Sequence, residues 1–144
     1  MKPRQKYKSV MVVDDTHVDR FIAERNLKKY GYAEEVILCE SAFSALSHLR
    51  DLERKNAPVP EQIFLDIRMP EMDGFGFLEE FKKFPEAFRK NIEVIMLSTS
   101  LNPIDHERAK HSRYVVRFVN KPLDRKVIED LMGVSPVSDK VTSK

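Results

Sequence analysis

Residues 10–15 have the sequence Val-Met-Val-Val-Asp-Asp, in which a continuous apolar run ends in two carboxylates. An apolar run without polar alternation is typical of a β-strand that is covered on both faces. The next residues carry apolar side chains at mostly helical spacing as far as Tyr30, and Gly31 then supplies a helix stop. This stretch therefore predicts a strand, a loop and a helix.

The same alternation recurs along the chain. The clearest helix begins after the N-cap candidate Ser41, with apolar side chains on one face from Ala42 to Leu52. Five short apolar runs are predicted as strands, at residues 10–13, 36–39, 63–65, 94–97 and 115–119. Strands that alternate with helices of about 10 to 15 residues predict an α/β fold. We expect a doubly wound, five-stranded parallel sheet with helices on both faces.

Length and composition fit one domain, because 144 residues with 42% hydrophobic side chains can form one ordinary core. We expect this domain over residues 7–133, between a basic N-terminal tail at 1–6 and a polar, disordered C-terminal tail at 134–144. The apolar runs are far shorter than the roughly 20 residues that cross a bilayer, and the first nine residues lack a signal-peptide core. A soluble, cytoplasmic protein without membrane attachment is predicted.

The net charge and the cysteine count give two further indications. A net charge of +2 is too close to balance to indicate nucleic-acid binding. The single cysteine, Cys39, cannot form an internal disulfide, and its place in a strand predicts a buried thiol.

Five polar residues follow or close the predicted strands. They are Asp14, Asp15, Asp66, Ser98 and Lys121. In a doubly wound sheet, ligands bind outside the carboxyl ends of the strands, where the strand order reverses. We therefore expect these side chains to converge in one pocket.

Clustered carboxylates repel one another unless a cation compensates them. Oxygen ligands without a nearby His or Cys cluster favour Mg²⁺, Mn²⁺ or Ca²⁺ over zinc, and Mg²⁺ suits a site with few protein ligands plus phosphate oxygens. An aspartate beside such an ion and near the Lys121 ammonium is suited to accept a phosphoryl group, because both charges neutralise the transferring oxygens.

Each pocket residue also has a structural explanation when it is taken alone. The pair Asp14-Asp15 can cap the next helix, and Asp66 can be a turn residue. Likewise Ser98 can begin a loop, and Lys121 can be a surface lysine. All of these explanations would have to hold at the same edge of one sheet, which favours the pocket.

Four segments together resemble a known family. They are Val-Val-Asp-Asp at 12–15, Phe-Leu-Asp-Ile-Arg-Met-Pro-Glu-Met-Asp-Gly at 64–74, Ile-Met-Leu-Ser at 95–98 and Phe-Val-Asn-Lys-Pro at 118–122. In this order they resemble the receiver domain of bacterial two-component response regulators. The resemblance extends from about Tyr7 to Gly133 and implies the flavodoxin-like, CheY-like fold.

The resemblance implies that Asp66 accepts a phosphoryl group from a histidine kinase or a histidine phosphotransfer protein. It implies a Mg²⁺ ion bound by Asp15, Asp66 and the backbone carbonyl of Arg68, with Asp14 acting through a metal-bound water. Arg68 and Thr99 occupy positions that vary within the family, and we expect them to tune the lifetime of the phosphorylated state.

The resemblance also assigns the residues that respond to phosphorylation. Lys121 would contact the phosphoryl oxygens, and Ser98 would hydrogen-bond the bound group. Phe118 would be the aromatic switch that turns inward when Ser98 moves, and the Lys121-Pro122 bond is expected to be cis.

The leading hypothesis is a stand-alone receiver that catalyses only its own phosphorylation and dephosphorylation. Too few residues follow Gly133 for a DNA-binding output domain, so the output would be contact with an unidentified protein, a homodimer or a phosphorelay. One alternative is a Mg²⁺-dependent aspartyl phosphohydrolase, although Arg68 stands where such enzymes have a second aspartate as general acid. A phosphorylation-independent docking module is the other alternative.

The segment 103–112 carries few apolar residues and predicts a weakly anchored helix. A movable output surface and an ordinary solvated helix both have this composition, so the sequence leaves the two interpretations open.

Overall fold

The computed structural model describes residues 6–99 and 102–133 of the chain. The predicted C-terminal tail and all but the last residue of the N-terminal tail lie outside the described residues. The strands are Tyr7–Val13 (β1), Ala33–Cys39 (β2), Gln62–Asp66 (β3), Glu93–Ser98 (β4) and Val115–Asn120 (β5). The helices are His17–Lys29 (α1), Ala42–Lys55 (α2), Gly74–Phe81 (α3), Glu86–Arg89 (α4), Pro103–Lys110 (α5) and Arg125–Met132 (α6).

The strands form one five-stranded sheet in the order β2-β1-β3-β4-β5, and every neighbouring pair is parallel. The chain moves outward from β1 to β2 and then crosses back to β3, so the order reverses between β1 and β3. The carboxyl ends of these two central strands therefore border the crevice in which such sheets bind ligands. The predicted fold is confirmed.

Alternate side chains of the central strands enter two separate cores. Met11 and Val13 pack with buried side chains of α2, α3 and α5, whereas Val10 and Val12 pack with those of α1 and α6. The thiol of Cys39 lies in the first core, where burial raises its pKa to about 11, as expected for an unreactive packing residue. Both faces of the sheet are covered, which explains the continuous apolar runs.

The structure departs from the sequence-based expectation at the β5 edge and in the length of the later helices. Val116 is 56% exposed and Arg117 is also exposed, so β5 is covered less completely than an apolar run predicts. Helices α3, α5 and α6 have eight residues each, which is shorter than expected. In α5 only Asp105 and Ala109 are buried, and Ile104 is 67% exposed, which agrees with weak anchoring.

No helix in the described ranges 6–99 and 102–133 has the length and apolar character to span a membrane.

Gly74, the first residue of α3, brings this helix against the end of β3. A Cβ at this position would lie 2.7 Å from the backbone oxygen of Asp66 and 3.1 Å from the Cα of Ile67. Because backbone atoms cannot move aside cheaply, the glycine permits the contact between α3 and the strand end that carries Asp66.

We expect Gly74→Ala to lower the free energy of unfolding by about 1–3 kcal/mol, the usual range for overpacking, as measured by urea denaturation. Gly76→Ala is the matched control, because its Cβ would meet only side-chain atoms, the nearest being Cγ of Met72 at 2.8 Å. A Gly74→Ala protein as stable as the Gly76→Ala protein would contradict this account.

Candidate phosphoryl and metal site

Three carboxylates meet at the carboxyl edge of the sheet, where β1 and β3 end. Asp14 and Asp15 directly follow β1, and Asp66 is the last residue of β3. One carboxylate oxygen from each of the three lies within 4.8 Å of the others. Asp14 and Asp66 are buried, whereas Asp15 is exposed. The predicted convergence of these three side chains is observed.

The backbone around Asp14 fixes the orientation of its carboxylate. The Thr16 backbone N–H donates to Oδ1 of Asp14 at 2.9 Å, and the Arg20 guanidinium donates to the Asp14 backbone oxygen at 2.8 Å. Thr16 is the N-cap of α1 and makes no side-chain capping hydrogen bond. Neither Asp14 nor Asp15 is therefore the N-cap residue of this helix.

Lys121 extends its ammonium into this acidic cluster. Its Nζ donates to Oδ2 of Asp14 and Oδ2 of Asp19, at 2.8 Å in each case, and lies 3.5 Å from Oδ2 of Asp66. The Lys121-Pro122 peptide is cis, as expected. The Lys121 backbone N–H donates to the Ser98 carbonyl at 3.0 Å, so the ends of β4 and β5 are joined beside the site.

Burial and charge act against each other on the two central groups. Burial raises the pKa of Asp66 to about 6, because the Lys121 ammonium opposes this rise only in part and the Asp14 charge adds to it. Burial alone would lower the pKa of Lys121, but its hydrogen bonds to Asp14 and Asp19 outweigh burial and raise that pKa. Lys121 thus stays charged, while Asp66 carries an unfavourable charge at neutral pH.

The raised pKa of Asp66 predicts a loss of stability with increasing pH. Asp66 has a pKa of about 6 in the folded state, against 3.8 as its ordinary value, so between these pH values the folded state binds more protons than the unfolded state. The free energy of unfolding therefore falls as the pH rises from 3.8 to about 6. We expect Asp66→Asn, measured with a chelator present, to be more stable than the wild type by about 2 kcal/mol above the window. The difference should shrink as the pH falls towards 4. A difference between the two proteins that is independent of pH would contradict the prediction.

Arg68 connects the site to α5. Its guanidinium forms an ion pair with Oδ2 of Asp105, whose side chain is 4% exposed, while the Arg68 side chain is 58% exposed. A second basic side chain of α5, Arg108, lies over the ring of Phe75 in α3, with its guanidinium carbon 3.9 Å from the ring centroid. These contacts fasten α5 to the loop after β3 and to α3, although α5 buries few apolar side chains.

We expect Arg68→Ala to lower the free energy of unfolding by about 1–3 kcal/mol, because it leaves the buried Asp105 carboxylate without this cation. Hydrogen exchange within α5 should also become faster. The control is Arg54→Ala, which removes an ion pair to Asp51 from an exposed site and should change stability by about 0–1 kcal/mol in urea denaturation. Equal effects of the two substitutions would show that the buried pair does not anchor α5.

Phe118 lies on β5, half-buried, beside the exposed His106 of α5. The two rings stack with centroids 3.8 Å apart and planes inclined by 28°. Phe118 and Ser98 lie on neighbouring strands, β5 and β4, and Ser98 is buried. Phe118 therefore lies against α5, and Ser98 is the last residue of the strand that pairs with β5.

Three further residues beside the site, Asp19, Asp105 and His106, are not indicated by the sequence. The contact between Asp19 and Lys121 joins residues 102 positions apart, and the pair of Arg68 with Asp105 spans 37 positions. No local pattern indicates such contacts. The first-turn position of Asp19, one helical turn beyond Asp15, was the only available signal.

The chain matches a known family over most of its length. Residues 10–132 match the response regulator receiver domain family. Response regulator Rcp1 of Synechocystis sp. is 32% identical over 99 residues, which are 68% of this chain and 66% of Rcp1. The chain spans only 5% to 13% of the histidine kinases to which it is also similar.

Solved structures show the same fold. The crystal structure of a two component response regulator from Cytophaga hutchinsonii has a TM-score of 0.80 and 28% identity, and the match covers 90% of this chain and 96% of that one. The receiver domain of histidine kinase CKI1 from Arabidopsis thaliana, complexed with Mg²⁺ and BeF₃⁻, has a TM-score of 0.72 and 28% identity. The match covers 88% of this chain and 89% of that one.

Proposed function

Because the chain belongs to the response regulator receiver domain family, we propose that Asp66 accepts a phosphoryl group from a phosphohistidine of a histidine kinase or a phosphotransfer protein. The observation that carries this proposal is the position of Asp66, buried within 4.8 Å of two other carboxylates and 3.5 Å from the Lys121 ammonium. Neither a surface turn nor a core packing site needs this arrangement.

In the proposed transfer, a carboxylate oxygen of Asp66 attacks the phosphorus atom. The bond between phosphorus and the imidazole nitrogen breaks, that nitrogen keeps the electron pair, and the ring takes up a proton. Lys121 stabilises the charge on the equatorial phosphoryl oxygens, because its pKa is raised and it stays protonated. Asp66 is the nucleophile, and the reactive form is its carboxylate.

The residues present fit a divalent cation. The three carboxylates offer only oxygen ligands and lie close enough to share one ion, which suits Mg²⁺ or Mn²⁺. We assign Asp15, Asp66 and the backbone carbonyl of Arg68 as ligands, with Asp14 acting through a bound water. The ion would neutralise phosphoryl and carboxylate charge. The binding of Mg²⁺ with BeF₃⁻, a compact anion of phosphoryl-like shape, by a similar receiver supports this assignment.

The phosphorylated site would be sensed through Ser98 and Phe118. A phosphoryl oxygen draws the Ser98 hydroxyl towards Asp66, and Phe118 turns into the space that Ser98 leaves. The ring of Phe118 then separates from His106, with which it stacks in this structure. A local charge event is thereby coupled to the position of α5, which is a weakly buried element.

The chain would work as a cytoplasmic signalling protein whose output is contact with another protein, a second copy or a further phosphotransfer partner. The phosphohistidine-bearing partner must reach Asp66 from the carboxyl edge of the sheet. Val18 and Phe21 of α1 are 60% and 58% exposed and lie on the helix that begins beside this edge. We assign this apolar surface of α1 to the docking of the phosphoryl donor.

The number of phosphoryl groups that each chain takes up tests the proposed function. With Mg²⁺ and acetyl phosphate, a receiver should gain at most one phosphoryl group per chain, as measured by intact mass, and should release it slowly as phosphate. Rapid steady turnover of phosphate esters that depends on Asp66 would instead support a phosphohydrolase. Absence of labelling in a folded, Mg²⁺-loaded protein would leave only a docking module.

A further inference from the structure

A fourth carboxylate reaches the site from α1. Asp19 lies in the first turn of this helix, and its Oδ2 accepts a hydrogen bond from Nζ of Lys121 at 2.8 Å. The same ammonium donates to Asp14 at 2.8 Å, whereas its distance to Asp66 is 3.5 Å. The ammonium thus lies nearer to Asp14 and Asp19 than to the group it would assist.

Packing does not explain why Asp19 is placed here. Its side chain is 32% exposed, compared with 1% for Asp14 and 5% for Asp66. The N-cap of α1 is Thr16, so Asp19 does not serve as the cap. What distinguishes Asp19 from the other acidic residue of this helix, Glu24, is its contact with Lys121, because Glu24 pairs with Lys28.

We propose that Asp19 is a positioning residue that holds the Lys121 ammonium on the α1 side of the site and thereby restrains phosphorylation of Asp66. The inference rests on the proposed function of Asp66 and Lys121. A phosphoryl group entering at Asp66 competes with Asp19 for the N–H donors of Lys121. Removing the charge of Asp19 lets the ammonium move towards Asp66 and makes the pocket less negative for an anionic donor.

Asp19→Asn keeps the size of the side chain and removes its charge. We expect its maximal rate of labelling by acetyl phosphate with saturating Mg²⁺ to be about two to five times that of the wild type, the range of a partly exposed ion pair. The maximal rate should change more than the half-saturating donor concentration, because Lys121 assists the transfer step. Glu24→Gln makes the same charge change on the same helix and should leave both values unchanged.

A second comparison tests whether Asp19 acts through Lys121. In a Lys121→Met background, which keeps most of the side-chain stem, Asp19→Asn should no longer accelerate labelling. If Lys121→Met does not fold, as judged by circular dichroism, the labelling rates of Asp19→Asn and Glu24→Gln alone decide whether Asp19 restrains phosphorylation. Unchanged or slower labelling of Asp19→Asn, or an equal gain in Glu24→Gln, would overturn the inference.

These outcomes are separable from failure of the proposed function. If the wild type is labelled and Asp66→Asn is not, the function stands whatever Asp19 does. If Asp66→Asn is labelled as fast as the wild type, the function and this inference fail together.

Discussion

We expect the Asp66→Asn protein to take up a phosphoryl group from acetyl phosphate at least about a hundredfold more slowly than the wild type. An amide oxygen is a weak, uncharged nucleophile, whereas the carboxylate forms the new bond to phosphorus directly. Asparagine has nearly the same size, and we expect the variant to be folded and, above pH 6, more stable than the wild type. The substitution therefore removes the nucleophile without changing the fold.

Intact mass measures this loss, and peptide mapping identifies the modified residue. Asp73→Asn is a matched control, because Asp73 accepts a hydrogen bond from the Gly76 N–H as the N-cap of α3, and asparagine caps equally well. It should be labelled at the wild-type rate. Persistent labelling of Asp66→Asn, or equal loss in Asp73→Asn, would contradict the assignment of Asp66 as the acceptor.

Removal of divalent cations should nearly abolish labelling of the wild type. Three carboxylates within 4.8 Å of one another repel an anionic donor, and Lys121 alone cannot neutralise both them and the transferring oxygens. We expect excess chelator to slow labelling by at least about a hundredfold, and Mg²⁺ or Mn²⁺ to restore it. Labelling that proceeds unchanged in chelator would refute a metal-dependent site.

Asp15→Asn separates the loss of a ligand from a general loss of negative charge. Asp15 is exposed, so its replacement should leave the fold intact. Because Asp15 is a proposed metal ligand, Asp15→Asn should raise the Mg²⁺ concentration needed for half-maximal labelling at least about tenfold. Glu24→Gln again provides a charge-matched control at a distance. If the two variants need the same Mg²⁺ concentration, Asp15 is not a ligand.

Local patterns were sufficient to predict the strands and the acidic pocket. A strand covered on both faces must be apolar at successive positions, which is why residues 10–13 and 63–65 were recognisable without any structure. Parallel strands bring their carboxyl ends to one edge, so Asp14, Asp15 and Asp66 had to meet once the strands were correctly identified.

The same reasoning was less successful at the β5 edge and in α5. The apolar run at 115–119 predicted a covered strand, but β5 is the last strand of the sheet and leaves Val116 exposed. In α5, periodicity indicated weak anchoring, but a buried ion pair between Arg68 and Asp105 supplies part of the anchoring. Hydrophobic periodicity carries no information about a charge pair between distant segments.

The sequence by itself determined the fold, the acceptor candidate and the acidic character of the site, because each depends on apolar runs and on the residue that ends them. The tertiary structure decided how the ammonium of Lys121 is shared between Asp14 and Asp19 and how Arg68 reaches α5. Those contacts join residues 37 to 107 positions apart, and their strength depends on distances and burial that exist only once the chain has folded.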